Sequence, residues 1–401
     1  MTYRRTGAGR FGRSRNRSAH LRWQVYERVR GAAMTATCSP PANPIDADGL
    51  RDRVDAALGN FLDEQEERFD DLISDPQSRS QWRAATQSLR GFLAGGKRIR
   101  PAFCYWGWRG AGGGADDEGV IGAAAALELL HSFALVHDDI IDASDTRRGA
   151  PSLHRQHAEL HRRSGGRGSS ELFGTSIALL LGDLCLAWFH DMLATSGLPA
   201  ERIREARPLV AHSLTELVLG QYLDVAEQAC SRHSVSRSYT VIHYKTAKYT
   251  IERPLHLGGV LAGASPALLG SYTAYAMPLG EAFQLRDDVL GAFGDPAVTG
   301  KPVADDLRTR KATVLLATAR ERASAAQEAE IDRLFTGADL DDAQTTRLQD
   351  LVVETGALAE CERLIDRRVD AAAAALGAMP VGDDVRAVLA SLIRATTDRA
   401  R

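Results

Sequence analysis

The sequence predicts an all-α protein built as one large helical bundle. Three observations predict it. Apolar residues recur at three- and four-residue spacing over most of the chain after residue 44, the period of helices with a buried face. The alternating pattern of strands is weak throughout. Gly and Pro cluster between the periodic stretches, as in GAGGGADD (110–117), RSGGRGSS (163–170) and FGDPAVTGKP (293–302), where breakers mark loops.

The elements follow in order. IDADGLRDRVDAALGNFLDEQEERFDDL starts with an Asp cap candidate and carries Leu50, Val54, Leu58 and Leu62 on one stripe, which predicts an amphipathic first helix. Helices are expected next at 80–92 and 98–110. Residues 117–143 and 170–195 are rich in Ala and Leu and nearly apolar all round, so both are expected to be central and buried. Further helices are expected at 201–230, 236–262, 266–292, 311–323, 341–354, 356–376 and 382–397. No repeat of fixed period is present, and residues 45–401 are expected to form a single domain.

Composition narrows the class. The chain has 401 residues, 44% hydrophobic and 25% charged, enough to bury a sizeable core. It has no unbroken run of 18 apolar residues, so no transmembrane segment is expected. Five cysteines, at 38, 104, 185, 230 and 361, are scattered and form no CxxC. That excludes a zinc site or disulfide framework of recognisable spacing and points to a reducing, cytoplasmic setting.

Charge is uneven. Residues 1–33 hold nine Arg and one acid, Glu27, so about +8 sits in the arm of a chain whose net charge is −3. Such an arm fits a nucleic acid, an acidic membrane surface or a targeting peptide. It lacks an apolar stretch and helical periodicity, so residues 1–44 are expected to be a disordered arm and linker with no nucleic-acid partner. MTATCSPPANPIDADGL, from Met34, reads like an alternative start. Of 49 basic residues, only five are Lys: 97, 245, 248, 301 and 311.

Chemistry-bearing residues come in separated motifs. HDDIIDASDTRRG (137–149) follows a strongly apolar stretch. Asp138 and Asp142 are i and i+4, about 6 Å apart along the axis of one helix face, and Asp139 lies about 100° round. Paired carboxylates suit Mg2+, which keeps waters and shares substrate phosphates; a solvated acidic helix end is the plainer alternative. FQLRDDVLGAFGD (283–295) gives a second pair, Asp287 and Asp288, with Gly291 where a third acid would fall. Acids at a helix C-terminus oppose the dipole, so compensating cations are expected. GGKRIRP (95–101) places Lys97 and Arg100 at a helix start, a plausible anion site. Arg147 and Arg148 follow the first acids, YKTAKYT holds Lys245 and Thr246, and TGKPVADDLRTRKAT holds Lys301 and Lys311.

Taken together, GGKRIRP, His131 seven residues before DDIID, RRG, GQYLD (220–224), KTAKYT, FQLRDDVLG and TGKP with DDL stand in an order that resembles the trans-isoprenyl diphosphate synthases of the polyprenyl synthetase family. The resemblance covers about residues 50–400. It implies a helical bundle around a central cavity and condensation of isopentenyl diphosphate with an allylic diphosphate. It implies that Lys97, Arg100 and His131, with Arg148 beside them, hold the isopentenyl diphosphate. Asp138 and Asp142 would bind Mg2+ on the allylic diphosphate, with Asp139 in the same motif, and Arg147 would contact that diphosphate. Asp287, with Asp288, would bind a third Mg2+. Lys245, Lys301 and Lys311 would grip the allylic diphosphate, while Thr246 and Gln284 would line the path of the developing carbocation. Four of the five lysines fall on these positions; Lys248 is the exception. A homodimer is also implied. Many members carry an Asp where this chain has Gly291, but the motif's first Asp does most of the metal binding, so activity is expected to survive.

Product length is expected from the wall of the first acidic helix. Phe133 is about 7.5 Å below Asp138 and Ala134 one turn below, on the Asp face. A small residue there resembles the geranylgeranyl (C20) synthases more than the farnesyl (C15) ones. A class I terpene cyclase would need a different second metal motif and no GGKRIRP. A non-catalytic partner subunit would lack acids or bases, and Gly291 is the one departure in that direction.

Overall fold

The computed structural model describes residues 44–230, 233–294, 304–336 and 340–397. The basic arm with Met34, and the TGKP loop with Lys301, lie outside them. After a 3-10 turn, Pro44–Gly49, the chain is helical: α1 Leu50–Asp70, α2 Pro76–Leu93, α3 Ile99–Gly110 and α4 Glu118–Ile141. A small hairpin, β1 Thr146–Arg147 and β2 Ala150–Pro151, precedes α5 Leu153–Arg163, α6 Ser170–Ala194 and α7 Ala200–Gln228. Then come α8 Val235–Val241, a π-helix Ile242–Glu252, α9 Arg253–Leu261 and α10 Pro266–Phe293. The C-terminal part holds α11 Asp305–Arg308, α12 Val314–Arg322, α13 Ala325–Leu334, α14 Asp342–Glu354, α15 Ala357–Ala378 and α16 Asp383–Thr397.

Local chemistry fixes many of the starts. Asp75, Asp117, Ser169 and Ser265 each accept a backbone N–H of the first turn of α2, α4, α6 and α10, as good N-caps do. The first helix departs from expectation. It begins one turn later than an Asp cap would place it, behind Gly49 in the left-handed region at φ 62° with no side-chain cap.

Two packed cores result. One joins α1–α4, α6, α9 and the first part of α10; the other joins the end of α10 to α11–α15. Helix α4 is enclosed by α1, α3 and α6, and α10 lies between the π-helix and α15. The stretch expected as one helix over 236–262 is broken by the π winding in its middle.

One expectation needs correction. α4 and α6 are each long and apolar enough to cross a membrane by length and composition, because isolated charged residues interrupt the run without making it polar. α4 is largely buried, as a core helix should be, but only 39% of the most apolar window of α6 is. α6 is therefore not a central helix. Its outer face carries Leu172, Leu179 and Leu180 into the open.

Candidate active site

The C-terminal end of α4 brings the first acids out of the core. Asp139 is buried, Asp138 half-buried and Asp142 exposed. Asp142 caps the helix, its N–H donating to the Asp138 carbonyl at 2.8 Å. Donors meet these acids from three other elements, two of them cationic. Lys245 on the π-helix donates to Asp138 Oδ1 at 3.1 Å and to Asp224 of α7 at 2.6 Å. Gln221 of α7 donates to the same Asp138 oxygen at 3.0 Å. Arg147 Nε donates to Asp139 Oδ1 at 2.8 Å, and a second nitrogen stands 3.6 Å from Asp138. This is the compensation that acids at a helix C-terminus require.

The pKa directions report the same crowding. Burial pushes Asp138 up, but Lys245, Lys311 and Arg147 outweigh it and hold the carboxyl low. Asp142 is raised by its surroundings and by the Asp138 charge. Burial draws Lys311 down, yet Asp306, Asp224, Asp138 and Asp142 together raise it. One ammonium is thus in electrostatic contact with α4, α7 and α11.

The second acidic pair sits near the end of α10. Asp287 is half-buried, and Asp288 is buried. Burial, with Asp306 and Asp287 nearby, lifts Asp288 to about 7 against the pull of Gln284 and Lys311. Thr246 donates to Gln284 Oε1 at 2.6 Å, and Gln284 Nε2 donates to Asp288 Oδ1 at 2.9 Å. Thr246 and Gln284 therefore form a relay into the second motif. Lys245 and Thr246, neighbours in sequence, tie one acidic helix end each. Gly220 of α7 makes this approach possible: a Cβ there would stand 2.5 Å from the Lys245 backbone nitrogen.

The basic residues gather on the other side of the hairpin. Arg148 and Gly149 form its two-residue tip, both at positive φ, 54° and 78°, as tight hairpins favour. The turn separates the two arginines. Arg147 returns to the acids, while Arg148 reaches the Gly95–Gly96 loop, donating to the Phe92 carbonyl at 3.3 Å. Arg98 fixes that loop from below, buried against Glu128 at 2.5 Å and Asp55 at 2.6 Å. Lys97 is left exposed at its rim. Arg100 lies 4.4 Å from the Tyr249 ring and donates to Thr250 at 2.9 Å. Its Nε–H is buried with no acceptor among the described residues, a costly state for a charged donor. Burial and then the guanidiniums of Arg100, Arg148, Arg147 and Arg98 hold His131 well below its ordinary pKa. The imidazole is neutral, amid positive charge that an anion would relieve.

Lys248 turns away, to Glu216 at 2.8 Å; Arg253 shares that carboxylate, which is held down to about 2. Phe133 and Ala134 are half-buried on α4, with the Phe133 ring edge-on to His137 at 4.7 Å. Gln221, Asp224 and Asp306 were given no role from the sequence, although GQYLD and DDL, which hold them, were among its motifs. The first two stand i, i+3 on α7, within GQYLD, polar among Leu and Val, and that contrast is their signal.

Among the described residues, no three His, Cys, Asp or Glu side chains converge closely enough to hold a metal alone. What the fold provides is paired hard-oxygen donors beside a cluster of cations. That donor set suits Mg2+ shared with a phosphate-bearing ligand.

Comparison with known proteins agrees. The polyprenyl synthetase family model matches residues 83–352. A geranylfarnesyl diphosphate synthase of Aeropyrum pernix is 32% identical over 79% of this chain and 93% of its own length. A geranylgeranyl diphosphate synthase of Mycobacterium tuberculosis is 33% identical over 74% of this chain and 78% of its own. The structure of geranylgeranyl pyrophosphate synthase from Corynebacterium glutamicum, complexed with isoprenyl diphosphate and magnesium, superposes with a TM-score of 0.83 at 41% identity, covering 88% of this chain and 99% of that one. With the family model matching residues 83–352 and the helical fold shared over 88% of the chain, the protein belongs to the polyprenyl synthetase family and is a prenyltransferase.

Proposed function

We propose that the protein catalyses the Mg2+-dependent head-to-tail condensation of isopentenyl diphosphate with an allylic diphosphate, giving a C20 trans-prenyl diphosphate. One observation carries this reading. The hairpin tip divides two anion-binding places of different character, one with carboxylates (Asp138, Asp142, Lys245, Arg147) and one of basic residues (Arg100, Arg148, His131). Two diphosphates with different fates need such places. The one held among carboxylates is the one that ionises.

Asp138, Asp142 and Asp287 are the residues that would hold Mg2+, three ions in our reading. Bound there, Mg2+ supplies positive charge against the leaving diphosphate. The chain's own cations act on the same charge. Lys245, Lys311 and Arg147 already face the acids, and Lys301, outside the described residues, is assigned with them. Cations fixed where charge develops lower the barrier without reorganisation. The Thr246–Gln284 relay presents oxygen dipoles beside the second motif, suited to a passing carbocation. Arg100, Arg148 and neutral His131, with Lys97 at the rim, would hold isopentenyl diphosphate, whose double bond is the nucleophile.

Ala134, one turn below Asp138, is a small residue that would leave room for a C20 product, and Phe133 stands beside it. The catalytic domain is taken as residues 45–401. The active form is taken as a homodimer: eight of the eleven exposed large hydrophobics among the described residues lie on α6 and α7, a concentration that marks an interaction face. The free cysteines 104, 185, 230 and 361 fit a cytoplasmic setting.

The test is an elongation assay. The protein is incubated with Mg2+, isopentenyl diphosphate and dimethylallyl, geranyl or farnesyl diphosphate, and products are identified by mass. A C20 product is expected; no elongation from any primer refutes the reading, and a C15 end point makes it a farnesyl synthase. Asp138→Ala should abolish turnover while leaving the helical circular dichroism intact.

A further inference from the structure

Lys248 of the π-helix points away from the cleft, three residues after Lys245. Both lysines are held by carboxylates of α7. Lys245 pairs with Asp224 at 2.6 Å and Lys248 with Glu216 at 2.8 Å. Gly220 stands midway between these two carboxylates, about one turn from each. A Cβ there would be 2.8 Å from the Lys245 Cα and 2.9 Å from the Tyr244 carbonyl carbon. The two helices thus meet backbone to backbone at the glycine, with an ion pair on either side.

Glu216 also takes Arg253, the first residue of α9, from Nε at 2.6 Å and Nη2 at 2.7 Å. Lys248 and Arg253 are five residues apart, and the Arg253 N–H donates to the Lys248 carbonyl across one π turn. An i→i+5 turn stacks such residues on one face. In an α-helix they would stand about 140° apart and point to different neighbours. One carboxylate holding both side chains therefore fits the π winding and not the α. Buried Glu252 backs the clamp. Its Oε2 lies 3.7 Å from Lys248 Nζ and 3.8 Å from Arg253 Nε, while its Oε1 accepts from Thr273 of α10 at 2.8 Å.

We propose that Glu216 and Lys248 are positioning residues for the reaction: they lock the π winding against α7, and the winding sets where Lys245 stands beside Asp138. The lysine that reaches the acids and the lysine that grips Glu216 are the two ends of one clasp about Gly220. This rests on reading Lys245 as a cation of the allylic diphosphate. Without Lys248 the segment relaxes toward the commoner α winding, which turns Lys245 from Asp138. Arg253 still pairs with Glu216, so the fold survives the change.

The experiment is a cycle of variants read by initial rates with isopentenyl and dimethylallyl diphosphate. Lys248→Met should lower kcat by about 10–100-fold, the effect of displacing a reacting group's partner by about 1 Å. Its melting temperature should stay close to that of wild type. In the Lys245→Met, Asp224→Asn background the same substitution should cost nothing further, because the group it positions is gone. Full activity in Lys248→Met overturns the proposal. So does a loss of equal size in both backgrounds, which would make Lys248 merely structural. The background variant separates the levels. If it is slow and Lys248→Met is not, only the positioning role fails; if it turns over like wild type, the reading of Lys245 fails and the positioning role with it. Should Lys248→Met not fold, Glu216→Gln, which leaves both cations beside Glu252, goes through the same cycle.

Discussion

Lys245 Nζ lies 3.1 Å from Asp138 Oδ1 across 107 residues of chain, and the same ammonium reaches the buried Asp224 at 2.6 Å. It ties α4 to α7 through two carboxylates, one of them in the first acidic motif. Lys245→Met should leave Asp224 buried and unpaired, at a cost of about 3 kcal/mol in stability. Adding Asp224→Asn should restore the melting temperature but not turnover. Thermal melts and initial rates on the single and double variants check this; a double variant as active as wild type refutes a role in the reaction.

Arg100 offers a buried N–H without an acceptor. If isopentenyl diphosphate fills that lack, Arg100→Met should raise its KM by about 10–100-fold, the worth of a charged hydrogen bond or two. The KM of the allylic substrate should hardly move. Equal effects on both substrates would place Arg100 elsewhere.

Asp288 gives a pH signature. Its carboxyl is raised to about 7 in the fold, against an unfolded value near about 3.9. Between these values the folded state holds a proton that the unfolded chain has lost, so this group's contribution to stability falls as pH rises from about 4 to 7. Without metal, Asp288→Asn should flatten that part of the stability profile in urea denaturation. An unchanged slope would mean the carboxyl is already ionised.

Ala134→Phe should shorten the product from C20 to C15 or less, read by mass spectrometry with dimethylallyl diphosphate as primer. An unchanged product would mean that the chain does not run along this face of α4.

Leu180 and Tyr222 are 64% and 69% exposed on α6 and α7. Leu180→Glu with Tyr222→Glu should convert a dimer to a monomer in sedimentation velocity. A monomeric wild-type protein would remove the dimer reading altogether.

Much of this was legible in the sequence because helix periodicity and motif order are local. The expected limits of the α3, α4, α6, α7, α10 and α14–α16 stretches fall within about two residues of those observed, the usual scatter of helix ends. What was missed has physical reasons. LHRQHAELHRR reads as polar, yet α5 buries His154, His157 and His161, each hydrogen-bonded to a serine: Ser152, Ser88 and Ser170. The exposed face of α6 looks like core because its apolar surface is meant for burial without showing against what. α13 and the hairpin are short, and the π winding has no period of its own to read. The acidic and basic motifs were visible as residue types. That Arg147 and Arg148 part company at a hairpin tip, and that Glu216 takes both Lys248 and Arg253, depend on segments brought together by the tertiary fold.

The π-helix has one further consequence. Lys245 touches the first acids, Thr246 leads to the second, Tyr249 lies against His131 and Arg100, and Thr250 accepts from Arg100. Eleven residues thus act as a common axle for every part of the cleft. A small rotation of that axle cannot be confined to one diphosphate place. If both places bind diphosphate as proposed, filling one should shift the affinity of the other, and by reciprocity the shift should be equal in both directions.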